Sequence, residues 1–231
     1  MFNSLGIKVK KNTLKSGFLP GHSIVKTQRP VSRRQEYAAQ TRQALIDAAS
    51  LLFAQQGFRK TSLARISEQA RVTKGALYHH FQDKEEIFCA CYRQQIATLS
   101  TSLAAMEASP DLWDTMWNRC RAFLAYGREH RSPTISLQEA ISVLGWERWR
   151  AIDTEYTMGL VRDMVEQLVN IGFFKPHPVG LLSELLYGML VECSMSIVRA
   201  TNKRQAFEDA ERLLQDMLLG LKAELNNTRP C

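Results

Sequence analysis

Residues 62–81, SLARISEQARVTKGALYHHF, constrain this chain more than any other stretch. They read as a helix, a three-residue turn and a second helix. In the second helix Leu77 and Phe81 recur at i, i+4 and share a face that can pack inward. Lys74 pairs with Tyr78 and Gly75 with His79 at the same spacing, on an arc turned away from that face. The arc holds a cation, a position without a side chain, a phenol and an imidazole. Such groups reach phosphates and base edges, which is how a recognition helix presents itself to a DNA major groove. A plain helical hairpin with a solvated face has the same spacing, so the flanking residues must decide.

The first helix of the pair carries an inward stripe of Leu63, Ile66 and Ala70. Thr61 or Ser62 can cap its start and Thr73 can cap the second helix. Val72, in the turn, can plug the core between them. Upstream, Ala44, Leu45, Ala48, Ala49, Leu52 and Phe53 form another stripe, which Gly57 ends and Phe58 follows as a hydrophobic partner. Downstream, Asp83 with Glu86 three residues on is a capping-box variant.

With these flanks the segment from near Tyr37 to near Ile87 resembles the DNA-binding domain of the TetR (tetracycline-repressor-like) family. The matching residues are LLFAQQGF, Thr61-Ser62, Ile66, Ala70, Val72-Thr73-Lys74-Gly75, Leu77-Tyr78-His79-His80-Phe81 and Lys84-Glu85-Glu86. The resemblance implies an all-α protein with an N-terminal three-helix, helix-turn-helix domain and a helical effector-binding and dimerisation domain. It also implies a homodimer on a roughly palindromic double-stranded DNA operator, released by a small-molecule effector. The expected DNA contacts are Thr61, Ser62, Arg71, Thr73, Lys74, Gly75, Tyr78, His79 and Lys84. Of these, Thr61, Lys74, Tyr78 and Lys84 are expected on phosphates, and Gly75, His79 and Arg71 nearest the bases. Arg71 departs from the family, which usually has Gly there. If the position takes a positive φ, the side chain costs roughly 1 kcal/mol.

The charge is unevenly placed. Residues 1–35 hold eight Lys and Arg and no acid, against a whole-chain net charge of +7, so the rest is close to neutral. Residues 59–84 carry six cations against Glu68 and Asp83, a local excess suited to DNA. Residues 1–35 lack a helical period and read as a disordered basic tail, 36–83 as the DNA-binding domain, 84–225 as the second domain and 226–231 as a C-terminal tail. The first tail suits a DNA-contacting arm, a start codon assigned too early, or an acid-poor transit segment. No apolar run reaches the ~18 residues of a membrane span and no signal-peptide core appears, so a cytoplasmic location is expected. The five cysteines, at 89, 91, 120, 193 and 231, form no Cys-x-x-Cys pair, and no His cluster has zinc spacing. They read as structural thiols, with redox sensing by Cys193 as the alternative.

From Lys84 onward only helices are expected: 84–106, one from Pro110, one after Ser136-x-x-Glu139, 146–171, 178–200 and 205–224. The family resemblance implies that the last two pair with their copies in a four-helix interface, with Leu182, Leu186, Leu214 and Leu218 as contacts. The aromatic and Met residues of 112–195 suggest a pocket for a hydrophobic or aromatic effector. Its candidate lining is Trp113, Trp117, Phe123, Tyr126, Trp146, Tyr156, Tyr187 and Met189. No phosphate loop, nucleophile elbow or metal motif appears, so neither an enzyme nor a cofactor is expected. The functional expectation is a ligand-responsive repressor; a cysteine-based redox regulator without a small ligand is the alternative.

Overall fold

The computed structural model describes residues 32–129 and 134–223. Its elements are α1 (Arg33–Lys60), α2 (Leu63–Ala70), α3 (Lys74–His80), α4 (Lys84–Ala104), α5 (Leu112–Glu129), α6 (Leu137–Leu144), α7 (Trp146–Asp153), a π-helical turn (Thr154–Met158), α8 (Gly159–Asn170), α9 (Val179–Arg199) and α10 (Lys203–Leu219). Extended pairing among the described residues is limited to one isolated bridge, Phe174 to Lys222. The all-α expectation therefore holds.

Three expected boundaries move. Arg33, Arg34 and Gln35 are not tail but the first turn of α1, because Ser32 and Gln35 form a capping box, each side chain bonding the other's backbone N–H. The remainder of the basic tail, the C-terminal tail and Cys231 lie outside the described residues. The helix expected over 146–171 is broken by the π turn, whose first residue follows Asp153. The last two helices are shorter than expected, at 179–199 and 203–219.

α1 to α3 enclose a small core in which Leu45, Phe53, Ile66, Leu77 and Phe81 are almost fully buried. α4 links this unit to the rest, packing on α1 and also on α5, α6 and α7. α9 packs against α5, α8 and α10. It is also the one helix among the described residues long and apolar enough to cross a membrane by length and composition, an exception to the expectation. Leu182, Leu186, Tyr187, Leu190 and Val191 on it are buried in the protein core.

The opposite side of α9 is bare. Leu181 and Leu185 are each 57% exposed, and a Cβ at Gly188 would meet no atom within 4 Å. On α10, which packs against α9, Leu213 is 60% and Met217 51% exposed. The expected interface residues Leu182, Leu186, Leu214 and Leu218 are core instead, none more than 7% exposed. Both phases of α9 are leucine-rich, so periodicity alone cannot tell the core stripe from the open one.

Candidate nucleic-acid interface and regulatory cavity

The reading head is assembled by three local devices. The Ser62 hydroxyl caps α2 by accepting the Arg65 N–H at 3.2 Å, and Thr73 caps α3 by accepting the Ala76 N–H at 3.2 Å. Between them Arg71 sits in the left-handed region, φ 56° and ψ 40°, with its N–H on Glu68 O and the next N–H, of Val72, on Ser67 O. This is a left-handed helix stop built on arginine, at a cost of roughly 1 kcal/mol relative to glycine. It turns the chain so that α3 buries Leu77 and presents Lys74, Gly75, Tyr78 and His79 outward, all exposed. Space is open where a Gly75 Cβ would stand, so another backbone can approach there. Ser62, Arg71 and Thr73 are also exposed on this side. Next to His79, the His80 imidazole is held below its usual pKa, first by burial and then by His79 and Arg42.

Two expected DNA contacts are engaged with partners inside the protein. Thr61 is 1% exposed; its hydroxyl donates to Gly57 O at 2.9 Å and accepts from the Gln56 amide. The Lys84 ammonium donates to Phe58 O at 2.8 Å and Thr61 O at 2.9 Å and lies 4.2 Å from the Phe58 ring centre. Lys84 thus closes the carbonyl end of α1, where a cation is favoured.

A cavity of about 290 Å³ opens between α4, α5, α9 and the chain entering α6. Phe123, Tyr126 and Tyr187 line it as expected. The other five candidates do not. Trp113 and Trp117 stack on each other, and Trp113 also on Phe173, away from the cavity. Trp146 is 60% exposed, Tyr156 engages Ser100 through its carbonyl, and Met189 stands outside the lining.

The polar wall was missed. Asp153 is 1% exposed and lines the cavity. The Tyr187 hydroxyl donates to its Oδ2 and the Tyr92 hydroxyl to its Oδ1 at 3.4 Å, while Trp149 Nε1–H donates to the Tyr92 oxygen at 2.8 Å. Burial pushes the Asp153 carboxyl up to about 6, against the pull of both tyrosines and of Arg150. One signal for it was legible: Asp153 follows Trp149 at i+4, a carboxylate on a face otherwise apolar.

The cavity also touches the machinery that holds the reading head. Ile135, Ser136 and Leu137 line it. Gln95 clamps Ile135, accepting its N–H and donating to its carbonyl, both at 2.9 Å. Ser136 caps α6, and one turn on Glu139 Oε1 accepts the Phe58 N–H at 2.7 Å, just past Gly57 (φ 82°).

Residues 45–91 match the model for bacterial regulatory proteins of the tetR family, and residues 113–221 match that for the tetracyclin repressor-like C-terminal domain. The chain belongs to the TetR family. Members of this family are DNA-binding regulators of transcription rather than enzymes. The Transposon Tn10 TetC protein of Escherichia coli is 29% identical over 164 residues, 71% of this TetR-family chain and 83% of TetC. The regulator AcrR of Shigella flexneri is 46% identical, but over 56 residues, 24% of this chain and 26% of AcrR. Among solved structures, a TetR-family regulator of Pectobacterium atrosepticum superposes with a TM-score of 0.72 at 27% identity, covering 84% of this chain and 99% of that one. RolR in complex with resorcinol shares the fold, with a TM-score of 0.60 at 19% identity over 77% of this chain and 89% of RolR.

Proposed function

We propose that this TetR-family regulator is a repressor that leaves a palindromic operator when a compact apolar or aromatic molecule fills the cavity. The observation that carries the reading is the continuity from cavity to reading head. Residues 135–137 are at once cavity wall and the cap of the helix whose Glu139 holds Phe58. A ligand that prefers a displaced 135–137 segment favours the state in which Glu139 lets go of the α1 end, and the reading heads change separation.

In this reading Lys74 and Tyr78 contact phosphates, Gly75 and His79 approach the base edges, and Ser62, Arg71 and Thr73 flank them. The bare stripe of Leu181, Leu185, Leu213 and Met217 is the homodimer interface, because an exposed apolar patch of this kind usually marks an association surface. The partners are a double-stranded operator, a second copy and the effector, in the cytoplasm, with no membrane; α9 serves core and dimer.

The redox alternative is weakened by the thiols themselves. Burial pushes Cys91 and Cys120 up to about 12 and raises Cys193, so none of these three is a ready thiolate at neutral pH. The test is retardation of DNA from upstream of its own gene, with and without candidate aromatic effectors. Specific retardation relieved by an effector supports the reading. Release by oxidant that Cys→Ser changes abolish would favour the redox alternative.

A further inference from the structure

Resting on the effector reading of the cavity, we propose that its ligand is an organic cation, a protonated amine on a small aromatic or aliphatic body, recognised by Asp153 within a ring of aromatic side chains.

Asp153 supplies the charge. Its carboxylate is buried, and no ion pair reaches it among the described residues. Arg150 acts on Asp153 through space but makes no ion pair with it; its guanidinium lies 5.1 Å from the Tyr187 ring centre and forms no part of the cavity wall. A carboxylate offers about four acceptor positions, and Tyr92 and Tyr187 occupy two, so an incoming N–H finds acceptor capacity unused. A buried carboxylate without an ion-pair partner is costly, and a ligand cation offsets part of that cost.

The rings supply the second half of the recognition. Tyr92, Phe123, Tyr126 and Tyr187 all line the same cavity, with Phe123 and Tyr187 packed edge to face at 6.1 Å. Aromatic faces attract cations, and aromatic side chains lining one pocket are how quaternary ammonium groups are selected. The apolar remainder, including Ile96, Leu99 and Ile197, suits the hydrocarbon body. Lys203 is the cation on the wall and is exposed to solvent, whereas Asp153 is buried at the cavity wall. The ligand's charged end therefore belongs at Asp153, and an anion has only Lys203 to favour it.

The test is calorimetric titration of the intact protein with three probes of similar shape: N,N-dimethylbenzylamine, its carbon analogue isobutylbenzene, and phenylacetate. The amine is expected to bind about tenfold tighter than the hydrocarbon at neutral pH, with phenylacetate weakest. Asp153→Asn should bring amine and hydrocarbon to within about threefold while leaving the hydrocarbon's affinity unchanged. This comparison needs no variant to be decisive: equal affinities, a preference for phenylacetate, or no binding of the amine overturns the proposal. A preference that survives Asp153→Asn overturns it too. Adding the amine to the operator complex separates the two readings. Amine binding through Asp153 without DNA release supports the cation site and overturns the effector role.

Discussion

Glu139 on α6 accepts the backbone N–H of Phe58 at 2.7 Å, a contact between a helix of the regulatory region and the end of the first DNA-binding helix. The bond is charge-assisted and part-buried, and a Cβ at Gly57 would come within 3.1 Å of the same oxygen. Hydrogen bonds to charged groups contribute about 1.5–3 kcal/mol. Glu139→Ala is therefore expected to lower stability by roughly 1–3 kcal/mol in urea unfolding. It should also flatten the effector response of operator affinity, measured by fluorescence anisotropy. An undiminished response would place the coupling elsewhere, for instance through the Arg148–Glu85 ion pair between α7 and α4.

The two leucine phases of α9 and α10 separate by mutation. Leu185→Glu with Met217→Glu charges the bare stripe and should give folded monomers, seen by light scattering with helical circular dichroism retained. Leu214→Glu with Leu218→Glu instead buries carboxylates in the core and should unfold the chain. A dimer that survives the first pair of changes would contradict the assigned interface.

Lys84 and Lys74 are expected to behave oppositely. Lys84→Ala removes two hydrogen bonds and a ring contact, so it should cost about 1–3 kcal/mol of stability and leave the salt dependence of DNA binding unchanged. Lys74→Ala should leave stability unchanged and reduce the slope of log K against log salt by about 1. A titration with the effects exchanged would restore Lys84 as a phosphate contact.

How much of this was readable follows from the range of the interactions. The caps at Ser62, Thr73 and Asp83 and the outward arc of α3 were legible because each is set by residues within four positions, whereas the helix end expected at Gly57 is a kink within α1, which runs on to Lys60. The roles of Thr61 and Lys84 were not, because Lys84 meets carbonyls 23 and 26 residues earlier. In the second domain the aromatics advertise apolar surface without saying which cluster encloses space. Trp113 and Trp117 fill their region by stacking, whereas Tyr126 and Tyr187 leave a gap around a carboxylate. The capping box at Ser32-x-x-Gln35 was readable and would have placed the start of α1.

The buried carboxyl gives a pH signature. Folded, Asp153 holds its proton up to about pH 6; unfolded, it releases it near 4. The folded state thus binds the extra proton between these values. This contribution to stability is complete below about pH 4 and lost as pH rises through about 6. Asp153→Asn should therefore gain on wild type by up to about 3 kcal/mol between pH 4 and pH 7 in denaturant unfolding. A difference that does not change with pH would mean that the carboxyl titrates normally.

In the proposed function the exposed face of α3 reads an operator. Sequencing of duplexes retained by the protein from a random pool tests it most directly. An inverted repeat with its half-sites about one helical turn apart is expected. His79→Ala is expected to relax preference at one position in each half by about 1–3 kcal/mol without abolishing the repeat. Retention of duplexes without any enriched sequence, or an identical motif from wild type and His79→Ala, would contradict it.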